Sequence, residues 1–153
     1  MATDTFKILD TYGNPDVIVN GLVYPDGYFV TKDPVVAGTL HVTLCLALSL
    51  MDREQGIFSL AHILWGGASR ISGERAVDIL VEEIEKLGGK RSNLEAYLAG
   101  EINRGPPLDN ANLVKKSLAM YDIPILGEDL GGIDPRNVYL HVPEGKIEVY
   151  RLK

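Results

Sequence analysis

The sequence has a single cysteine, Cys45, among 153 residues. No disulfide can therefore close within the chain, and a reducing compartment fits that usage. Positive charge is also in short supply: 15 Lys plus Arg stand against 21 Asp plus Glu, a formal net charge of −6. A nucleic-acid binder draws its affinity from neutralising phosphates, so this balance argues against that class. Long apolar runs are missing as well. The longest, Val35 to Met51, is interrupted by Gly38, Thr39, His41, Thr43 and Ser49. It falls just short of the roughly 18 uncharged apolar residues that suggest a membrane span, so no membrane insertion is expected. Met1-Ala2-Thr3-Asp4-Thr5 has neither the basic head nor the apolar core of a signal peptide, which points to a cytoplasmic protein. The three histidines, His41, His62 and His141, have no short ligand spacing and no second cysteine beside them. No metal site and no cofactor are expected from that set.

What is present describes an ordinary globular chain, with 46% hydrophobic and 24% charged residues. At about 150 residues per domain, residues 1–153 are expected to form a single domain. Turn chemistry at Tyr24-Pro25-Asp26-Gly27 leads into a short strand over Gly27–Thr31. Val35 to Met51 reads as one or two strands. Leu44, Leu46, Leu48 and Leu50 fall on one face, and Thr43, Cys45, Ala47 and Ser49 fall on the other. Ile57–Trp65 is a further strand, Gly66–Ile71 a loop, and Ser72 a candidate N-cap. From Glu74 to Leu87 the apolar positions Val77, Leu80, Val81, Ile84 and Leu87 repeat at helical spacing, and Gly88-Gly89 ends the helix. Strands are expected at Leu94–Ala99, Ile123–Glu128, Asn137–Val142 and Lys146–Leu152. A second helix is expected over Ala111–Tyr121, capped by Asn110. The fold class is α/β (α+β), with more strand than helix.

Chemistry centres first on Cys45 and His62. A thiol nucleophile needs a base within hydrogen-bond reach and a third group to fix the imidazole. These two sit on neighbouring strands joined by a short turn, where cross-strand contact is easy. A buried packing cysteine and a structural histidine between Leu60 and Leu64 account for the same residues. Thr39, His41 and Thr43 share parity with Cys45 if the strand is uninterrupted; Thr39 could orient a histidine, and His41 is a rival base. Gly66-Gly67-Ala68-Ser69 could offer amides to an anion but lacks a P-loop ending. Glu128-Asp129 reads as a carboxylate pair facing water.

The order of several motifs resembles the chemoreceptor glutamine deamidase family, CheD. Thr39-Leu40 followed by Cys45, then an acidic turn and Ala61-His62, carries the first part of the likeness. Val81-Glu82-Glu83-Ile84-Glu85-Lys86-Leu87-Gly88, Leu94–Gly100, Val114-Lys115-Lys116 and Glu128-Asp129-Leu130-Gly131-Gly132 continue it, and the hairpin through Gly145-Lys146 closes it. The resemblance implies a β-rich sandwich with flanking helices, akin to bacterial deamidase toxins. It implies a triad of Cys45, His62 and Thr39 that deamidates protein glutamine, acting on methyl-accepting chemoreceptors, with a CheC-like phosphatase as partner. It implies no cofactor. A second reading of the same likeness is a binding module that docks on the receptor or the CheC-like partner without turnover. This sequence departs from the family pattern at His41-Val42-Thr43-Leu44, where Gly-Leu-Gly-Ser is usual. It departs again at Leu64-Trp65, at Gly100-Glu101-Ile102 in place of Gly-Gly-Ala, and at Asp109-Asn110.

Overall fold

The computed structural model describes residues 5–64, 70–102 and 110–153. In chain order the elements are β1 (Phe6–Thr11), β2 (Gly21–Leu22), β3 (Tyr28–Thr31), β4 (Val35–Val42), β5 (Leu46–Asp52) and β6 (Ile57–Ile63). Then come α1 (Ala76–Lys86), β7 (Leu94–Gly100), α2 (Asn110–Met120), β8 (Ile125–Leu130), β9 (Arg136–Val142) and β10 (Lys146–Leu152). The strands form two five-stranded sheets, ordered β1-β10-β9-β4-β2 and β3-β6-β5-β7-β8. The outcome is a mixed, sheet-rich α+β fold with flanking helices, the class expected from the sequence.

The alternation along β5 explains the layering. Leu46, Leu48 and Leu50 point to one face and pack with the buried residues of α1 and α2. Ala47 and Met51 point to the other and meet Val138, Leu140, Ile147 and Val149 of the first sheet. The second sheet is thus buried on both faces, and every residue of β5 and β6 is buried. The expected leucine wall is therefore the floor under the helices, and the small-residue face is the inter-sheet layer.

Helix α1 buries Val77, Leu80, Val81 and Ile84 as its stripe requires. Gly88 takes φ 97°, and the Gly88 and Gly89 amides donate to the Glu85 and Ile84 carbonyls at 3.0 Å. That pattern is a Schellman ending. It stops the helix at Lys86, so Leu87 leaves the stripe and is 39% exposed. The Ser72 side chain caps nothing: Arg75 is the N-cap residue, and it is the Ser72 carbonyl that accepts the Arg75 and Ala76 amides. Asn110 also departs from its expected role. It lies inside α2, and its side-chain amide donates to the Leu64 carbonyl at 2.9 Å, while the Glu101 carboxylate accepts the Ala111 amide.

Asp129 is a further correction. It is buried between the sheets' edges and accepts hydrogen bonds from Arg136 at 3.2 Å and from Arg151 at 2.6 Å. Two arginines on the first sheet compensate the charge of this buried carboxylate, which therefore does not face water. Trp65 and Gly66-Gly67-Ala68-Ser69 lie outside the described residues, as does Asp109.

Candidate active site

Strand β4 is not regular. Thr39 pairs with Val138 and Val42 with Arg136, so Leu40 and His41 together stand opposite Asn137 alone. One extra residue on one strand is a β-bulge, and its effect is to re-aim side chains. Thr39 and Val42 differ in parity, yet both are fully buried. The parity reading, which assumed an uninterrupted strand, fails at this point. The bulge turns at His41, whose φ is +52°. Histidine is one of the few non-glycine residues that visit this left-handed region with any frequency. His41 thus takes a backbone conformation that glycine adopts readily, and the residue is exposed at the turn.

Thr39 Oγ1 lies 2.8 Å from the Val23 carbonyl and 2.7 Å from His62 Nδ1. A hydroxyl carries one proton, and a carbonyl can only accept. The proton therefore goes to Val23, and the hydroxyl oxygen accepts from His62, which must carry its own proton on Nδ1. That leaves Nε2 with a lone pair. His62 is 1% exposed, and burial pushes its pKa below the ordinary imidazole value of 6.5. At neutral pH the ring is a neutral base of defined tautomer. Its main chain is fixed too: the His62 amide donates to Gly27 and its carbonyl accepts the Asp26 amide, at 3.0 and 2.9 Å. Asp26 in turn receives the Arg70 and Ile71 amides on its carboxylate.

Cys45 stands immediately before β5, half-buried, and packs against the inter-sheet cluster. Ala47, two residues on, pairs with His62. The backbone around the cysteine is clamped, since the Glu101 amide donates to the Cys45 carbonyl at 2.9 Å and the Ile102 amide to Thr43 at 3.0 Å. Gly100 permits this approach: a Cβ there would come within 2.5 Å of the Cys45 carbonyl oxygen. Glu101 has φ +49°, so the second departure from the glycine pattern also occupies left-handed backbone. The His41 amide donates to Asn137 Oδ1 and the Glu101 amide to Cys45, main-chain contacts that residue type alone does not mark. His141 is remote from this cluster in role, pairing with Glu148 at 2.6 Å across β9 and β10.

Thr39 and His62 are thus brought together from two different sheets. Among the described residues no group of His, Cys, Asp or Glu is arranged to hold a metal ion, and no helix is long and apolar enough to cross a membrane. An imidazole held in one tautomer, beside a layer that also receives the cysteine, is suited to moving a proton to and from a thiol.

The model of the family described as CheD chemotactic sensory transduction matches residues 67–151. The chain is 34% identical over 137 residues to a protein of Thermotoga maritima named chemoreceptor glutamine deamidase CheD, covering 82% of this chain and 87% of that one. It is 31% identical over 163 residues to a probable chemoreceptor glutamine deamidase of Chromobacterium violaceum, covering 88% and 81%. Among solved structures, the Bacillus licheniformis hypothetical protein YfiH aligns with a TM-score of 0.49 and 12% identity, over 83% of this chain and 63% of that one.

Proposed function

The chain belongs to the CheD family, and on that premise we propose that it deamidates glutamine side chains of a chemoreceptor or a related signalling protein in the cytoplasm. Cys45 is the nucleophile, His62 the base, and Thr39 the residue that orients His62. The observation that supports this reading most is the Thr39–His62 hydrogen bond of 2.7 Å, because it leaves Nε2 as the acceptor a thiol proton needs. A CheC-like phosphatase is proposed as a second partner, on the family resemblance.

The reaction then runs without a cofactor. The Cys45 sulfur attacks the carboxamide carbon while His62 Nε2 takes the thiol proton. The tetrahedral intermediate collapses, the C–N bond breaks, and His62 returns the proton to the departing ammonia. A water molecule attacks the thioester, again giving its proton to Nε2. The C–S bond breaks, the thiol is restored, and the product is glutamate. Throughout, the Nδ1 proton stays on the imidazole and is held by Thr39, which keeps the ring in place as charge appears on it.

The test is incubation with a cytoplasmic chemoreceptor fragment, followed by peptide mass spectrometry and ammonia assay. The wild type converts one or more glutamines to glutamate, and Cys45→Ala abolishes conversion while its melting transition remains cooperative. A wild type that binds the fragment but converts nothing overturns this reading in favour of a binding module.

A further inference from the structure

We propose that Asn137 is a positioning residue for this reaction: it holds the His41 amide and so fixes the bulge that brings Val42, and with it the segment leading to Cys45, to the face on which Thr39 meets His62. The inference rests on the function proposed above. Asn137 is 2% exposed although it sits beside an exposed turn. Its Oδ1 accepts the His41 amide at 3.0 Å, and its Nδ2 donates to the Tyr139 hydroxyl at 3.1 Å. The His41 amide admits only an acceptor, so the orientation of the Asn137 side chain is set.

The need for such a residue follows from the backbone. Left-handed φ costs little for glycine but is sterically unfavourable for a residue with a Cβ. His41 adopts it at φ +52°, in the bulge where Leu40 and His41 share the single partner Asn137. If the turn relaxed to an ordinary strand, residues 39 and 42 would face opposite sides. Thr39 keeps its side, in register with Val138, but Val42 would leave the inter-sheet layer and its place beside Gly100, and the segment leading to Cys45 would move with it. A side-chain acceptor on the facing strand, aimed at the amide of the strained residue, opposes that relaxation. The Asn137 side chain bonds to the His41 amide and the Tyr139 hydroxyl and not to the reacting groups, and it acts through His41 and Val42.

The account predicts a rescue that a merely structural asparagine would not show. Glycine at position 41 adopts left-handed backbone unaided, so His41→Gly should make Asn137 dispensable. With the chemoreceptor fragment as substrate, Asn137→Ala lowers kcat between about tenfold and 10²-fold, the scale of a remote misplacement, with KM little changed. His41→Gly added to Asn137→Ala restores most of that loss. No loss in Asn137→Ala, or a loss that glycine does not restore, overturns the proposal. Should Asn137→Ala fail to fold, the double variant must fold and turn over, and its failure also overturns it. Amide exchange by NMR on the wild type is an independent check. The His41 amide exchanges slowly although its residue is exposed, and fast exchange contradicts the bond. If the wild type itself has no turnover, the function fails separately from this inference. In that case the pH profile of Cys45 alkylation by iodoacetamide decides: Asn137→Ala displaces the profile and the double variant returns it, whereas an unchanged profile overturns the role of Asn137.

Discussion

A single hydroxyl proton decides what His62 can do. Because Thr39 gives that proton to Val23, Thr39→Val removes an acceptor and leaves a buried Nδ1–H unpaired. Turnover of the receptor fragment should fall by up to about 10²-fold, while Thr39→Ser, which keeps the hydroxyl, retains most of it; equal losses in both would contradict the orienting role. The same burial has a stability consequence. The folded-state pKa of His62 is lowered below 6.5, so the neutral ring contributes stability that is present above the unfolded value and lost as pH falls below it. Urea midpoints should therefore drop in the wild type as pH falls below about 6.5, and His62→Gln should flatten that part of the curve. A curve with the same slope in both proteins would mean that another group titrates there.

At the scale of elements, α1 separates residues that the apolar pattern treats alike. Leu80 is buried and Leu87 is 39% exposed. Leu80→Ala should cost about 2–5 kcal/mol, whereas Leu87→Ala should stay within about 0.5 kcal/mol. Ser72→Ala should also fall inside that small range, and not the roughly 1 kcal/mol of a lost N-cap, because its hydroxyl caps nothing. Denaturant melts of the three variants check the set. The helix and the β5–β6 hairpin were legible because their periods, 3.6 and 2, are local properties of the sequence. Strand β1 was not. Only alternate positions of Phe6–Thr11 are even partly shielded toward its end, and it pairs in parallel with β10 at the far end of the chain. The bulge in β4 was hidden for a different reason: no glycine marks it, and histidine gives no warning of a positive φ.

Across the whole molecule, the two sheets are joined by packing in the middle and by charge at one edge. Asp129 on β8 accepts from Arg136 on β9 and Arg151 on β10, and Asp129 and Arg136 are 5% and 3% exposed. Burial raises the Asp129 pKa, but the hydrogen bonds from Arg151 and Arg136 outweigh it and the net shift is downward. The carboxylate therefore contributes stability above its unfolded value of about 3.9, which is lost as pH falls through the folded value. Asp129→Ala should cost about 3–5 kcal/mol, since it strands a buried guanidinium, and should weaken the acid limb of the stability curve; a loss within surface range would show that the clasp carries nothing. The clasp also reaches the site, because Gly131 donates to the Gly100 carbonyl and Gly100 lies against the Cys45 backbone. None of this was legible in Glu128-Asp129 as a pair of letters, since the arginines that bury Asp129 lie on later strands. The order of motifs along the chain anticipated the contact of Thr39 with His62, and strand parity failed only beyond Thr39, where the bulge breaks it.

The central claim is that His62 serves Cys45, and the pH dependence of Cys45 alkylation by iodoacetamide, compared in the wild type and His62→Ala, tests it without any protein substrate. In the wild type the rate should rise along a limb below about 6.5, because burial lowers the imidazole that takes the proton. In His62→Ala that limb should move to about 8.5, the value of an unassisted thiol. Superimposable profiles in the two proteins would contradict the pairing of Cys45 with His62.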